Sequence, residues 1–310
     1  MSRRPKRRHY RDVSGVLLLD KPLGLTSNAV LQELIHLFKA RKGGHTGALD
    51  PLASGMLPIC FGDATKVSSY LLDADKHYQV TARLGEATAT GDAEGEVVEC
   101  LPVPGFDASS LQGVLERFVG DILQVPPMYS ALKRGGRPLY ELARDGKVVE
   151  REPRPVAIRK ISLLDFDASH FTLAVSCSKG TYIRTLVEDI AQAMDTVGHV
   201  VMLRRTHVDP YAGQEMRTLE ELQRLAAEGG LAALDACLTP VDQALTDWPR
   251  VQLDARQSQH ILHGRILDWP DQPNGSARCR IYSVSGDFIG LGEIAGNQLF
   301  PRRLMAQQPS

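Results

Sequence analysis

The run Gly43-Gly44-His45-Thr46-Gly47-Ala48-Leu49-Asp50-Pro51-Leu52-Ala53-Ser54-Gly55 holds the residues best placed to do chemistry. Its four glycines and one proline disfavour a regular helix or strand and predict a shaped loop, with backbone angles or close approaches that other residues resist. One carboxylate, Asp50, sits in the run between Leu49 and Pro51. Proline fixes its own φ and biases the preceding residue toward extended angles, so Asp50 is presented stiffly. A rigid carboxylate with a histidine, His45, in the same loop is raw material for a nucleophile or a general base. The same residues also make an ordinary Asp-Pro turn. Residue types and spacing leave both readings open.

Several elements must position that loop. Gly15 to Leu19 predicts a buried strand. Thr26 or Ser27 can cap a helix whose Leu31, Leu34, Ile35 and Phe38 fall at helical spacing. Tyr78, Val80, Ala82 and Leu84 alternate with Gln79, Thr81 and Arg83, the pattern of a half-buried strand. Ser110 is expected to start a second helix carrying Leu111, Val114, Leu115 and Phe118 on one face. Phe171, Leu173, Val175 and Cys177 alternate again, and Ser178-Lys179-Gly180 turns the chain. The helix after that turn has Ile183, Leu186, Val187 and Ile190 as its apolar stripe, which leaves Tyr182 and Arg184 free to reach a cleft at its start. Thr218 and Glu221 have the spacing of a capping box. Strands and helices that do not alternate strictly predict an α+β fold rather than a doubly wound one. Leu238 to Pro249 reads as a connection, followed by a hairpin from Arg278 to Ile294 that turns at Ser285-Gly286-Asp287 and suggests a small β module.

The net charge is −1 over 310 residues, so the whole chain does not announce a polyanion binder. Its distribution does. Arg3, Arg4, Lys6, Arg7, Arg8 and Arg11 form a basic arm, and residues 133–160 carry nine Lys or Arg against Glu141, Asp145, Glu150 and Glu152. Such patches meet phosphate backbones, though they also serve as solvated faces. The five cysteines, Cys60, Cys100, Cys177, Cys237 and Cys279, make no CxxC pair and are odd in number, which argues against a disulfide framework or a zinc site and fits a reducing cytoplasm. No stretch approaches the length of a membrane span.

The segment GGHTGALDPLASGML resembles the signature loop of the TruB-type tRNA pseudouridine synthases. Leu17 to Asn28, Cys60 to Tyr78, Val125 to Arg144 and Cys177 to Ile190 are similar to that family's other blocks, in the same order. The likeness runs from about Ser14 to about Arg205, with a weaker match to the C-terminus. Long blocks in order are far more specific than one short motif. The resemblance implies a mixed or antiparallel sheet in an α+β catalytic domain over 14–248, an RNA-clamping insertion at about 124–155, and a PUA-like β domain over 249–306, with residues 1–13 as a basic arm. It implies isomerisation of uridine to pseudouridine at position 55 in the tRNA T arm, without metal or cofactor, by a cytoplasmic monomer.

Carried over residue by residue, the resemblance makes Asp50 the acting carboxylate, with attack at C1′, attack on the uracil ring and removal of the 2′ proton all open to it. Arg184 is the cation that lowers the Asp50 pKa and keeps it charged. Tyr78 stacks on the uracil and serves proton transfer, although by pattern alone it reads as core. Tyr182 contacts the target nucleotide and Leu203 packs on its base. Lys21 supports local structure and charge. His45 is the flat wedge that fills the stack after the uridine leaves it; the alternative is a general base. Two other readings compete: an RNA-binding or RNA-folding protein with secondary or no isomerase activity, and a carboxylate glycosidase using Asp50 with Asp92 or Glu94, which lie in what reads as a loose turn.

Overall fold

The apolar run Gly15–Lys21 forms a strand covered on both faces, buried along its length except at the half-buried Asp20. This computed structural model describes residues 10–270 and 276–305; most of the basic arm expected over 1–13 lies outside them. Alternate residues of the first strand feed two cores. Leu17 and Leu19 join a large cluster with Val30, Leu34, Leu186 and Ile190. Val16 and Leu18 face the other way, with Met56, Cys60, Leu71 and Tyr211.

Gly15–Lys21 pairs antiparallel with Ala53–Phe61, Lys21 opposite Gly55. The sheet continues through Gly198–Val208, Lys76–Leu84, His170–Cys177 and Arg154–Phe166 to Gly120–Gln124, and has nine strands among the described residues. Gly198–Val208 runs parallel to Ala53–Phe61 but antiparallel to Lys76–Leu84. The fold is therefore α+β with a mixed sheet. Central strands carry the residues that matter for the site: Leu203 lies beside both Ala53 and Val80, and Arg205 beside both Gly55 and Tyr78.

The helix Ser27–Leu37 is capped by the Thr26 hydroxyl, which accepts from the Ala29 N–H. Ser27, the other candidate cap, does different work described below. A short helix the sequence did not suggest spans Ser68–Asp73. The helix expected to start at Ser110 spans Ala108–Glu116 and begins before that residue. Asp107 is its N-cap, accepting from the Ser110 N–H, while the Ser110 hydroxyl accepts from the Asp107 N–H. Asp-x-x-Ser thus makes a reciprocal box in which Ser110 is the third helical residue. The stripe Ile183, Leu186, Val187 and Ile190 is buried as its spacing requires. Thr218 and Glu221 cap the helix Leu219–Asp235 reciprocally.

The glycine-rich run is less irregular than its composition suggests. Gly43–His45 is a short strand paired with Ile59–Phe61, and Ala53 already opens the next strand. Gly43 is there for space: a Cβ would stand 3.0 Å from the Ile35 side chain. Gly55 is more demanding, with φ of +100° and a Cβ position only 2.2 Å from the Arg205 carbonyl oxygen. The irregular segment shrinks to 46–52.

Residues between Gln124 and Arg154, which face each other across two antiparallel strands, form an excursion from the sheet. It contains the strand pair Lys133–Arg134 and Arg137–Pro138 and the helix Leu139–Arg144. Toward the C-terminus a second, five-stranded sheet is ordered Arg250–Gln252, Ala277–Tyr282, Phe288–Ala295, Gln298–Leu304 and Leu267–Asp268. Its own core holds Val251, Ile261, Ile281, Ile294 and Leu299. Among the described residues no helix is long and apolar enough to cross a membrane.

Candidate active site

Backbone contacts on both sides hold Asp50. The Ser27 hydroxyl accepts from the Leu49 N–H at 2.8 Å and donates to the Leu49 carbonyl at 3.0 Å. Past Asp50, the Gly24 N–H donates to the Pro51 carbonyl, and the Ala53 N–H donates to the carbonyl of Asp50 itself. The loop is thus tied to the start of the first helix and to the segment before it. The Asp50 carboxylate is left pointing at an opening, its side chain 44% exposed.

Arg184 meets it there. One guanidinium nitrogen lies 2.9 Å from the Asp50 carboxylate. The other lies 3.5 Å from Asp92, and the two side chains are only 6% and 4% exposed. Arg184 also donates to the Thr90 carbonyl at 2.6 Å and to the Tyr129 carbonyl at 2.7 Å. The turn carrying Asp92 is not loose. Asp92 is buried, accepts from the Thr90 hydroxyl and the Glu94 N–H, and bridges to Val200 of the main sheet. Glu188, one turn beyond Arg184 in the helix Ile183–Ala193, has its pKa pushed up to about 7, mainly by burial.

Electrostatics correct one expectation. Burial lifts the Asp50 pKa above its ordinary value and Asp92 adds to the rise; Arg184 pulls it down without cancelling them. One cation shared between two carboxylates leaves an excess of negative charge, so the last proton is held more tightly.

Asp50 and Arg184 line a cavity of about 290 Å³ together with Tyr78, Tyr182, Leu203 and Arg205. Tyr78 and Tyr182 both have raised pKa values, chiefly through burial, and stay phenols at neutral pH. Arg205 was missed in the sequence. It is 1% exposed, donates to the carbonyls of Met56 and Gly47, and lies across the strands from Tyr78. Its signal was available, since it follows the inward-facing Leu203 by two. Lys76, also on the cavity wall, was missed too; desolvation lowers its pKa to about 8.

Two expected residues lie off the cavity wall. Lys21 is fully buried and donates to the Pro22 and Ala53 carbonyls at 2.8 Å, with its pKa lowered to about 8 mainly by burial. His45 sits in the short strand paired with Ile59; burial lowers its pKa, and Arg205 adds to that. A second cavity, about 950 Å³, opens between Arg11, Asp235, Asp242 and Asp287 and contains none of the expected site residues.

Among the described residues, His77, His207 and Asp209 are grouped closely enough to hold a cation, with donor atoms within 4.8 Å of one another. The two imidazoles stack at 3.7 Å and 15°. Stacked rings aim their in-plane lone pairs side by side rather than at one centre, so the donor set does not fit a metal as it stands. None of the three lines the cavity beside Asp50.

Residues 36–183 match the TruB family pseudouridylate synthase N-terminal domain. Residues 184–246 match the tRNA pseudouridylate synthase B C-terminal domain. Residues 249–305 match the C-terminal module of pseudouridine synthase II TruB. The tRNA pseudouridine synthase B of Stutzerimonas stutzeri (strain A1501) is 53% identical over 303 residues, 97% of this chain and 99% of that protein. The chain belongs to the TruB family of pseudouridylate synthases. It is an isomerase that forms pseudouridine in tRNA. The TruB likeness extends to the tRNA pseudouridine synthase B of Haemophilus influenzae (strain PittEE), 50% identical over 98% of this chain and 99% of that protein. Among solved structures, a Cbf5-Nop10-Gar1 complex contains a chain with the same fold, with a TM-score of 0.73 at 24% identity, over 94% of this chain and 84% of that one. Of the residues assigned by resemblance to the TruB loop and its partners, the fold gathers Asp50, Tyr78, Tyr182, Arg184 and Leu203 around one cavity.

Proposed function

We propose that this enzyme isomerises the uridine at position 55 of the tRNA T arm, flipped out of its stack, with Asp50 as the acting carboxylate. The observation that carries this reading is the Asp50–Arg184 pair at the mouth of a cavity walled by Tyr78, Tyr182 and Leu203. The reaction breaks the bond from C1′ to N1, turns the uracil, joins C1′ to C5 and removes the C5 proton, while N1, which keeps the electron pair of the broken bond, takes up a proton. An ionised Asp50 supplies the nucleophile or base, and Arg184 keeps that charge available as the site dries on binding. Tyr78, a neutral phenol, stacks on the ring and relays a proton at C5. Tyr182 and Leu203 hold the base from two sides. Lys21 bonds to the backbone under the loop and fixes its shape. His45 fills the gap in the T loop, where a neutral imidazole stacks well on bases.

The excursion at about 124–155 clamps the T stem-loop through exposed Lys133, Arg144 and Lys147. The β domain over 249–306, preceded by the catalytic domain over 14–248, adds a second RNA contact, and the basic arm a third. The enzyme works as a cytoplasmic monomer. Carbodiimide modification with primer extension on a tRNA transcript tests the target: one new stop for position 55 supports the reading. Stops spread over other uridines, with none at 55, would contradict it.

A further inference from the structure

We infer that Gln124 is a positioning residue that ties the neck of the insertion to the two site residues Tyr182 and Arg184. Gln124 ends the strand Gly120–Gln124, opposite Arg154 on the returning strand. These two residues are where the excursion leaves the sheet and rejoins it.

The Gln124 side chain is 1% exposed, so its amide has little water to turn to. Both of its polar atoms are spent on one residue. Its Oε1 accepts from the Tyr182 N–H at 3.0 Å, and its Nε2 donates to the Tyr182 carbonyl at 3.3 Å. A primary amide thereby pairs with a peptide as a neighbouring strand would.

Tyr182 is the residue before the helix Ile183–Ala193, whose N-terminus has no side-chain cap of its own. The Tyr182 carbonyl also accepts the first helical bond, from the Leu186 N–H. Gln124 therefore fixes the peptides on both sides of Tyr182 at the point where the helix begins. Two residues on, Arg184 donates to the Tyr129 carbonyl, which lies just past the same neck. Three hydrogen bonds thus join Gln124 and Tyr129, at the start of the insertion, to positions 182 and 184. A shift of the neck moves the groups that face Asp50.

This inference rests on the roles proposed above for Asp50, Tyr182 and Arg184. Its test is Gln124→Met in the full-length enzyme, which keeps the chain length and removes both bonds to Tyr182. Single-turnover isomerisation of a tRNA transcript is expected to fall about tenfold or more, because small misplacements of site groups cost that much. The Kd for tRNA is expected to stay within about threefold, since Gln124 is buried and meets no phosphate. The acid limb of the rate should move to higher pH, because a loosened Arg184 pulls less on the Asp50 proton. A thermal melt checks that the variant is folded. If it is not, Gln124→Glu, which keeps the acceptor for the Tyr182 N–H, is read in the same assays with the same directions expected. An unchanged rate, a rate loss with an unmoved acid limb, or a loss of affinity in step with rate would each overturn the inference. Wild-type enzyme that turns over no uridine would instead overturn the underlying assignment.

Discussion

Arg184 stands between two carboxylates, and that arrangement sets the pH behaviour. Raised by burial and by Asp92, the Asp50 carboxyl takes up its proton at a pH above its ordinary 3.8. Activity that needs the ionised form is therefore lost, as pH falls, earlier than an unperturbed aspartate would lose it. Asp92→Asn keeps the Oδ1 acceptor for Thr90 and Glu94 but removes a negative charge beside Asp50. The acid limb of the single-turnover rate is expected to move to lower pH; a move to higher pH would contradict this account. Removing Arg184 works in the opposite sense and strands the buried Asp92. Breaking a buried pair this way costs on the order of 3–5 kcal/mol, so Arg184→Ala is expected to show a clearly lower midpoint in urea.

At the scale of elements, the loop from Thr46 to Leu52 is held as much by the first helix as by its own chain. Ser27→Ala leaves the buried Leu49 N–H and carbonyl unpaired and is expected to cost about 1–3 kcal/mol, with a fall in turnover larger than any change in tRNA affinity. Equilibrium unfolding and single-turnover rates check the two parts. The same elements show what was legible in advance. Alternation and helical stripes placed Tyr78, Ile183 and Leu186 on their faces, and Tyr182 and Arg184 at the helix start, because those are local periodicities. Arg205 was readable from its register with Leu203, two residues before it, but Leu203 itself was assigned only by resemblance and no strand pattern was drawn there. Asp92 was named only as a possible second carboxylate for Asp50, and its pairing with Arg184 was not readable. It reaches Arg184 because its turn bridges to Val200, more than a hundred residues away, and no spacing encodes that. The start of the helix Ala108–Glu116 was misplaced because Asp107 and Ser110 divide a cap between them. The sign of the Asp50 shift was missed because burial and a second carboxylate are properties of the folded site.

Across the whole molecule, a net charge of −1 conceals a basic excursion, whose Ser130 and Ala131 contribute to the wall of the cavity beside Asp50. Exposed Lys133, Arg144 and Lys147 are expected to act on phosphates. Replacing each by Ala should weaken tRNA binding and reduce the slope of log Kd against log salt by up to about 0.9 per contact, with little change in the single-turnover rate at saturation. The central claim is that Asp50 acts on uridine within this frame. It is tested most directly by tritium release from tRNA transcript labelled at uracil C5, with wild type and Asp50→Asn side by side and RNA binding measured for both. The account predicts release by the wild type, none by Asp50→Asn, and retained binding by each. Full release by Asp50→Asn would contradict it.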